Sequence, residues 1–512
     1  MTAPKLPSAS WNVASNWVWF FGSSLVAFFL APFVVHHLGN SAYGIWLLIS
    51  SLAAYLSLLN VGVGNAVVRY VAQFHAEGND KDATAVASSA LAICLAAGTV
   101  AIIVCLILAR FVVGRFHIFE AYQSAARIII ILGGFSVAVS MISGVFSGIV
   151  AGLYRFDWFN VVALANTLLS SATIVLVLNA GKGLVSVAIV YLCFAVATGL
   201  IYARVAFRLY PALKIRLSKS DMKHVKLIFS FSAYVSLLQV SSLIIYYTDS
   251  LVIGTFLSVS LITFFAIAGN LVIYSQRLIA GISTLMTPRA SALSVTGIRG
   301  EMQSLLVRST RIATVIILPV ALTFLLRGSS FIGLWMGQRY AESSGRVLSI
   351  LTLALIFAAA DQVATSTMIG IGKHRVVVFV VLSEALCNIA LSIVLARPMG
   401  IFGVAWGTTL PSLLVSLFFW PWYVNQTLGI PIRKYIISTW LWPTIAVIPF
   451  GLLTYGIEKL WPAPNLAVFF FQTGIVSATA IVASWYLCFD YSERQTYTQR
   501  LAVPISKVLE WI

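Results

Sequence analysis

Long apolar runs recur from Trp11 almost to the C-terminus, broken by short polar or glycine-bearing segments. A helix of about 20 such residues covers the roughly 30 Å hydrocarbon core of a bilayer. The pattern predicts fourteen spans. The first seven lie at 11–36, 43–70, 84–113, 121–151, 158–178, 184–207 and 227–253, and the rest at 260–287, 305–327, 345–371, 376–396, 401–425, 435–457 and 466–488. Only the connectors 208–226 and 288–304 are long, so no soluble domain fits between the spans.

Composition agrees with the pattern. The chain is 60% hydrophobic and 9% charged, against about 25% charged in an average soluble protein, and its mean hydropathy is +0.98. This is an all-α polytopic membrane protein. The first ten residues carry one lysine and no small-residue cleavage pattern follows closely, so the first span is expected to be a retained signal-anchor. Cys94, Cys105, Cys193, Cys387 and Cys488 all fall in apolar runs without a C-x-x-C pair and read as small buried hydrophobes. No metal, cofactor or catalytic residue is expected.

The net charge of +17 has a topological origin. With a cytoplasmic N-terminus, 22 of the 32 bases fall inside and nine outside, with Arg277 left within a span. This predicts both termini in the cytoplasm. It also assigns the basic excess to lipid headgroups rather than nucleic acid.

An internal repeat divides the chain. The segment 151–190 resembles 371–407: each has a glycine, a base, a long apolar span ending Val-Leu, a glycine turn and a small-residue helix. Gly64 and Arg69 at the end of span 2 are matched by Gly281 and Arg289 at the end of span 8. The offset from position 151 to position 371 covers six spans, an even number, so both copies enter the membrane from the same side. The expected organisation is a six-helix lobe at 1–207, a basic cytoplasmic loop at 208–226, a second six-helix lobe at 227–425, and two extra helices with a cytoplasmic tail at 426–512. Such parallel repeats are related by an axis along the membrane normal.

The stretch "LNVGVGNAVVRYVAQ" (59–73) has the look of a dinucleotide fingerprint. That reading needs a strand before the glycines. Here a membrane span precedes them, and Val67 stands in place of the third glycine. No phosphate-binding G-x-x-x-x-G-K-[ST] occurs either. The glycines serve close helix packing, or loosen the helix where it faces a cavity. Any active transport must then draw on an ion or substrate gradient.

Several motifs carry a resemblance. Leu38-Gly39, Tyr43-Gly44-x-Trp46, Leu59-x-x-Gly62 and Arg69-Tyr70, with "YYTDSLVIGTFLS" (246–258) and "LMTPRAS", resemble the Wzx-type polysaccharide-biosynthesis flippases. Those proteins move O-antigen and exopolysaccharide repeat units and belong to the multidrug/oligosaccharidyl-lipid/polysaccharide exporter superfamily. The acid that this family carries before the first glycine of L-D-x-G-x-x-x-A is Asn60 here. The resemblance implies a MATE-like fold, a bacterial cytoplasmic (inner) membrane location, and alternating access for an undecaprenyl-diphosphate-linked oligosaccharide. H+ or Na+ is a partner if transport is ion-driven, and polysaccharide polymerase or export machinery is a further one.

A flippase must offer a polar path to a phosphate-bearing headgroup, so ionisable residues inside spans are the candidates. Arg277 shares a face of span 8 with Asn270 and Tyr274; Arg69 and Arg289 close spans 2 and 8. With Asn270 and Asn388, these arginines are the expected substrate-binding set. Asp249 in span 7, Asp361 in span 10 and Glu384 in span 11 are the expected ion-coupling set. Arg155 and Asp157 read as an interfacial ion pair, and the tryptophan-rich span ends as interface belts. An ion-coupled drug antiporter or a lipid II flippase of the same superfamily remains an alternative. A glycosyltransferase or polymerase would need large outer loops with catalytic groups. The only outer-loop acids are Glu120, Glu342 and Glu458, so a non-enzymatic role is expected.

Overall fold

The computed structural model describes residues 9–60, 62–111, 116, 118–297 and 299–501. Both termini, expected in the cytoplasm, lie outside the described residues. Among the described residues no strand occurs, as hydrocarbon requires: a lone segment can satisfy all its backbone groups only as a helix. The first unit of helices comprises α1 (Ala9–Leu56), α2 (Val63–Ala76), α3 (Asp80–Phe111), α4 (Glu120–Gly152), α5 (Phe156–Asn179), α6 (Leu184–Leu209) and α7 (Met222–Phe256). There follow α8 (Val259–Thr296), α9 (Arg299–Met336), α10 (Gln338–Gly370), α11 (His374–Met399) and α12 (Ile401–Leu414). The chain continues through α13 (Trp420–Leu428), α14 (Ile432–Ile436), α15 (Trp442–Leu460), α16 (Leu466–Leu487) and α17 (Tyr491–Leu501).

Thirteen helical stretches are long and apolar enough to cross a membrane, and the first, Val18–Ala76, runs 59 residues. A straight helix of that length would reach about 90 Å, so this stretch is two crossings and the spans among the described residues number fourteen. Gly39 (φ 76°, ψ 166°) breaks α1 into two helices. A second break falls at the glycine run, where a loosened helix was one of the two expectations: span 2 leaves the α-helix at Leu56 and resumes at Val63, with Gly62 left-handed at φ 66°. Spans 12 and 13 contain π-helical segments, Val415–Phe419 and Ile437–Leu441. A short helix, α17, follows the last span.

The turns that close α4 and α10 have the same backbone form. At the α4–α5 turn the amides of Leu153, Tyr154 and Arg155 bond the carbonyls of Ile149, Ala151 and Val150; at the α10–α11 turn those of Ile371, Gly372 and Lys373 bond Thr367, Ile369 and Met368. The same three-bond ending closes α2 at Glu77–Asn79 and α5 at Ala180–Lys182, so it is the common helix terminus of this chain and not a mark of the repeat. The left-handed position is Gly372 (φ 80°) in one copy and Tyr154 (φ 57°) in the other. The glycine closing each preceding helix also packs alike. A Cβ on Gly152 would lie 2.9 Å from the Val68 carbonyl oxygen, and one on Gly370 would lie 2.5 Å from that of Thr287. Arg69 follows Val68 by one residue, and Arg289 follows Thr287 by two.

By packing, the chain forms two compact units, divided within α8 between Thr263 and Phe264. The first has a core of α2, α3 and α4 residues joined by Tyr202, Tyr210, Leu213 and Ile228, and α7 packs on α1, α2 and α3. The basic connector after α6 lies along α3. The amides of Lys214, Arg216 and Asp221 donate to the hydroxyls of Thr84 (3.4 Å), Ser88 (3.2 Å) and Ser89 (3.1 Å).

In the second unit α9 is gripped at two places by the helices that follow the repeat. Arg327, 2% exposed, donates from Nε to Glu458 of α15 at 2.6 Å and from a terminal nitrogen to Gln472 of α16 at 2.8 Å. Its guanidinium lies 4.4 Å from the Phe469 ring centre, and Ser330 donates to the same Glu458. Sixteen residues earlier, about 24 Å along the helix, Arg311 and Arg308 hold Glu493 of α17 at 2.6 and 2.8 Å. Asp490 and Glu493 form a reciprocal capping box, each carboxylate accepting from the other's amide. The Glu493 amide and the Ser492 hydroxyl hold the Asp490 carboxyl below the usual carboxylate range.

Removing one partner of a buried ion pair costs about 3–5 kcal/mol. Arg327→Ala is expected near the lower end, because Glu458 keeps 18% exposure. The paired change Arg327→Met with Glu458→Leu should recover most of that loss in denaturant unfolding of the detergent-solubilised protein. Equal losses for the single and paired changes would show that the ion pair does not dock α15 and α16.

Candidate functional site

The second unit encloses a polar cluster built from five elements. Asp361 projects from the C-terminal half of α10, between the apolar run 353–360 and Gln362. Its Oδ2 accepts from Ser416, whose hydroxyl also lies 2.8 Å from the Ser412 carbonyl. Ser416 belongs to the π segment Val415–Phe419, and the wider turn there offsets its position from a regular helix. Glu384 of α11 accepts from Ser412 and lies within electrostatic reach of Asp361. Tyr435 of α14, fully buried, is within electrostatic reach of Asp361 as well and faces Thr310 of α9. The second π segment, Ile437–Leu441, begins two residues after Tyr435.

The cluster is incompletely satisfied. Asp361 Oδ1 is buried without a hydrogen bond, and so is Asn388 Oδ1 one helical turn beyond Glu384. Two nearby carboxyls with spare lone pairs, surrounded by hydroxyls, can hold a proton or a small cation. Carboxylate and hydroxyl oxygens are the donors that hard monovalent ions accept. Among the described residues no group of three or more His, Cys, Asp or Glu is gathered as for a bound metal.

The remaining candidates are distributed. Asp249, 5% exposed, belongs to the first unit, within electrostatic reach of Tyr55; the Tyr55 hydroxyl pairs with its neighbour Thr248 at 2.5 Å. Asp361 and Glu384 are therefore brought together, whereas Asp249 has a setting of its own. Arg277 is exposed within α8, its guanidinium 6.0 Å from the Tyr274 ring centre. Among the described residues it makes no ion pair. Asn270 is half-buried two turns earlier on the same face, and Arg289 is exposed twelve residues later, about 18 Å along the helix. Arg69 is likewise exposed, 5.4 Å from the ring centre of Tyr70. Arg155 and Asp157 form the expected ion pair at 2.9 Å.

Sequence reasoning missed Ser412, Ser416, Tyr435 and Thr310. Serines and threonines in membrane helices ordinarily bond their own helix carbonyls, as Thr314 and Thr352 do here, so their presence is no signal. Two serines four residues apart on span 12 were the available hint. Nothing in the sequence shows that they face Asp361 and Glu384.

The comparisons with known proteins bear on this architecture. The profile of a family described as "Polysaccharide biosynthesis protein" matches residues 11–294, more than half of the 512-residue chain. The chain is 22% identical over 422 residues to a Shigella flexneri protein named "Putative O-antigen transporter", covering 79% of this chain and 96% of that one. It is 20% identical over 438 residues to "Uncharacterized membrane protein EpsK" of Bacillus subtilis (strain 168), covering 82% of this chain and 83% of that one. Among solved structures, "Lipid II flippase MurJ, inward closed conformation" aligns with a TM-score of 0.68 at 15% identity, over 92% of this chain and 97% of that one. An inward-facing multidrug resistance MATE family transporter aligns with a TM-score of 0.65 at 16% identity, over 84% of this chain and 99% of that one. At these identities the structural likeness is one of fold. The profile match, with fourteen spans in a fold shared by MurJ and MATE transporters, makes the chain a member of the polysaccharide biosynthesis protein family, within the multidrug/oligosaccharidyl-lipid/polysaccharide exporter superfamily.

Proposed function

We propose that this protein is a flippase for an undecaprenyl-diphosphate-linked oligosaccharide, an O-antigen or exopolysaccharide repeat unit, in the bacterial cytoplasmic membrane. The observation that carries the reading is Arg277. A guanidinium costs roughly 2.5–3.5 kcal/mol to place at the centre of a membrane helix, and this one is exposed without an ion-pair partner among the described residues. Such a cost is offset when the group meets an anion in transit. A diphosphate supplies two phosphoryl groups, each matching the planar fork of an arginine. Arg289 and Arg69, near the ends of their helices, would receive the same headgroup closer to the membrane surface, and Asn270 and Asn388 would offer amides to sugar hydroxyls. The similarity to the Shigella protein supports the substrate class.

Translocation draws on an ion gradient in this reading, with Asp361 and Glu384 as the coupling pair and H+ or Na+ as the ion. Asp249 is proposed as a third carboxyl of the coupling set. Partnership with polysaccharide polymerase or export machinery follows from the same substrate.

Two outcomes test the proposal in cells whose own flippase has been depleted. Arg277→Ala should abolish surface polysaccharide at normal protein level, whereas Arg277→Lys, which keeps the charge without the fork, should retain part. Full display with Arg277→Ala would remove the diphosphate role. Asp361→Asn and Glu384→Gln should leave the protein inserted, because each amide can still accept from its serine. Both should lose the response of transport to an imposed pH or Na+ gradient, and a wild-type response in both would remove the coupling role.

A further inference from the structure

The break in span 2 opens onto a cavity of about 380 Å³ inside the first unit, between α1, α4 and α6. Small-ligand sites run from about 300 to 1,000 Å³, so the space suits one or two sugar rings rather than a long chain. Irregular backbone at membrane depth is tolerated only where it is buried in protein or lines a cavity, and Asn60, the last residue before the left-handed turn region, lines this one.

The lining has a specific chemistry. Trp46 and Tyr191 stack with ring centres 4.9 Å apart and planes 28° apart, and both line the cavity. Ser50, Ser136 and Ser140 line it too. Elsewhere in these helices serines return their hydroxyls to the backbone: Ser51 to Leu47 at 2.9 Å, and Ser147 to Gly144 at 3.2 Å. Among the described residues the hydroxyls of Ser50, Ser136 and Ser140 make no such bond. Hydroxyls kept off the helix carbonyls and gathered on one space remain available to a ligand. The Asn60 carbonyl oxygen is taken by the Cys94 thiol at 3.5 Å, which leaves its amide nitrogen as a donor.

No lining residue is charged. The cavity therefore offers the diphosphate no countercharge. An aromatic platform beside uncommitted hydroxyls and one amide is instead the complement of a pyranose: ring C–H groups lie on an aromatic face while equatorial hydroxyls exchange hydrogen bonds with small polar groups.

We infer that this cavity of the first unit is a binding site for an uncharged sugar ring, and that it reads the sugar of the transported lipid separately from the basic residues that meet its phosphates. The inference rests on the flippase reading and adds the residues that would discriminate the cargo.

The test uses the full-length protein in lipid nanodiscs and two probes: undecaprenyl diphosphate carrying the host's repeat unit, and bare undecaprenyl diphosphate. Wild type is expected to bind the sugar-bearing lipid at least about tenfold more tightly. Trp46→Leu and Tyr191→Leu should remove most of that preference while binding of the bare lipid stays unchanged. Ser136→Ala with Ser140→Ala, too mild to disturb folding, should reduce the preference severalfold. Variants that keep the full preference, or that weaken both probes equally, overturn the sugar site and leave the flippase reading intact. Wild type that binds neither probe overturns the flippase reading itself.

Discussion

Hydrocarbon offers no hydrogen-bond partners, and the rest of this structure follows from that constraint. Each span closes its own backbone bonds as a helix, and most side-chain hydroxyls return to carbonyls one turn back. The buried Arg327 meets Glu458, Gln472 and the Phe469 ring together. Against that background the departures stand out. They are the helix break before Val63, the two π segments, the spare oxygens of Asp361 and Asn388, and the exposed Arg277. Each costs free energy in a bilayer unless a cavity, an ion or a substrate offsets it.

The two halves share a frame and differ in chemistry. The turns into α5 and α11 have the same three-bond form, and a close glycine-to-backbone contact packs the helix before each. Within that frame the first unit carries a neutral cavity with stacked aromatics and free hydroxyls. The second carries a carboxyl pair and the intramembrane arginine. A cargo with uncharged sugars on a diphosphate calls for both kinds of surface, and an ion-coupled cycle calls for titratable groups.

The spans were legible in the sequence, because hydropathy runs report them directly. Asp361, Glu384 and Arg277 were legible for the opposite reason, being charges where charge is costly. Tertiary juxtaposition was not. Arg327 and Glu458 are 131 residues apart in the chain, and nothing local marks them as partners. The division of packing within α8 also differs from a boundary drawn at the basic connector, since charge composition does not record that α7 packs on α1–α3. Gly62 and Gly64 raised the right question, but a glycine pair alone cannot distinguish close packing from a helix opened onto a cavity.

The central claim, that these polar departures serve the passage of a lipid-linked sugar, is tested most directly in sealed proteoliposomes. They would hold the purified protein and undecaprenyl diphosphate bearing the host's repeat unit in both leaflets. A membrane-impermeant glycosidase added outside digests only outward-facing sugar. The account predicts that digestion proceeds beyond the outer-leaflet half towards completion in vesicles containing the protein. Digestion that stops at one half, as in protein-free vesicles, under every imposed ion gradient would contradict it.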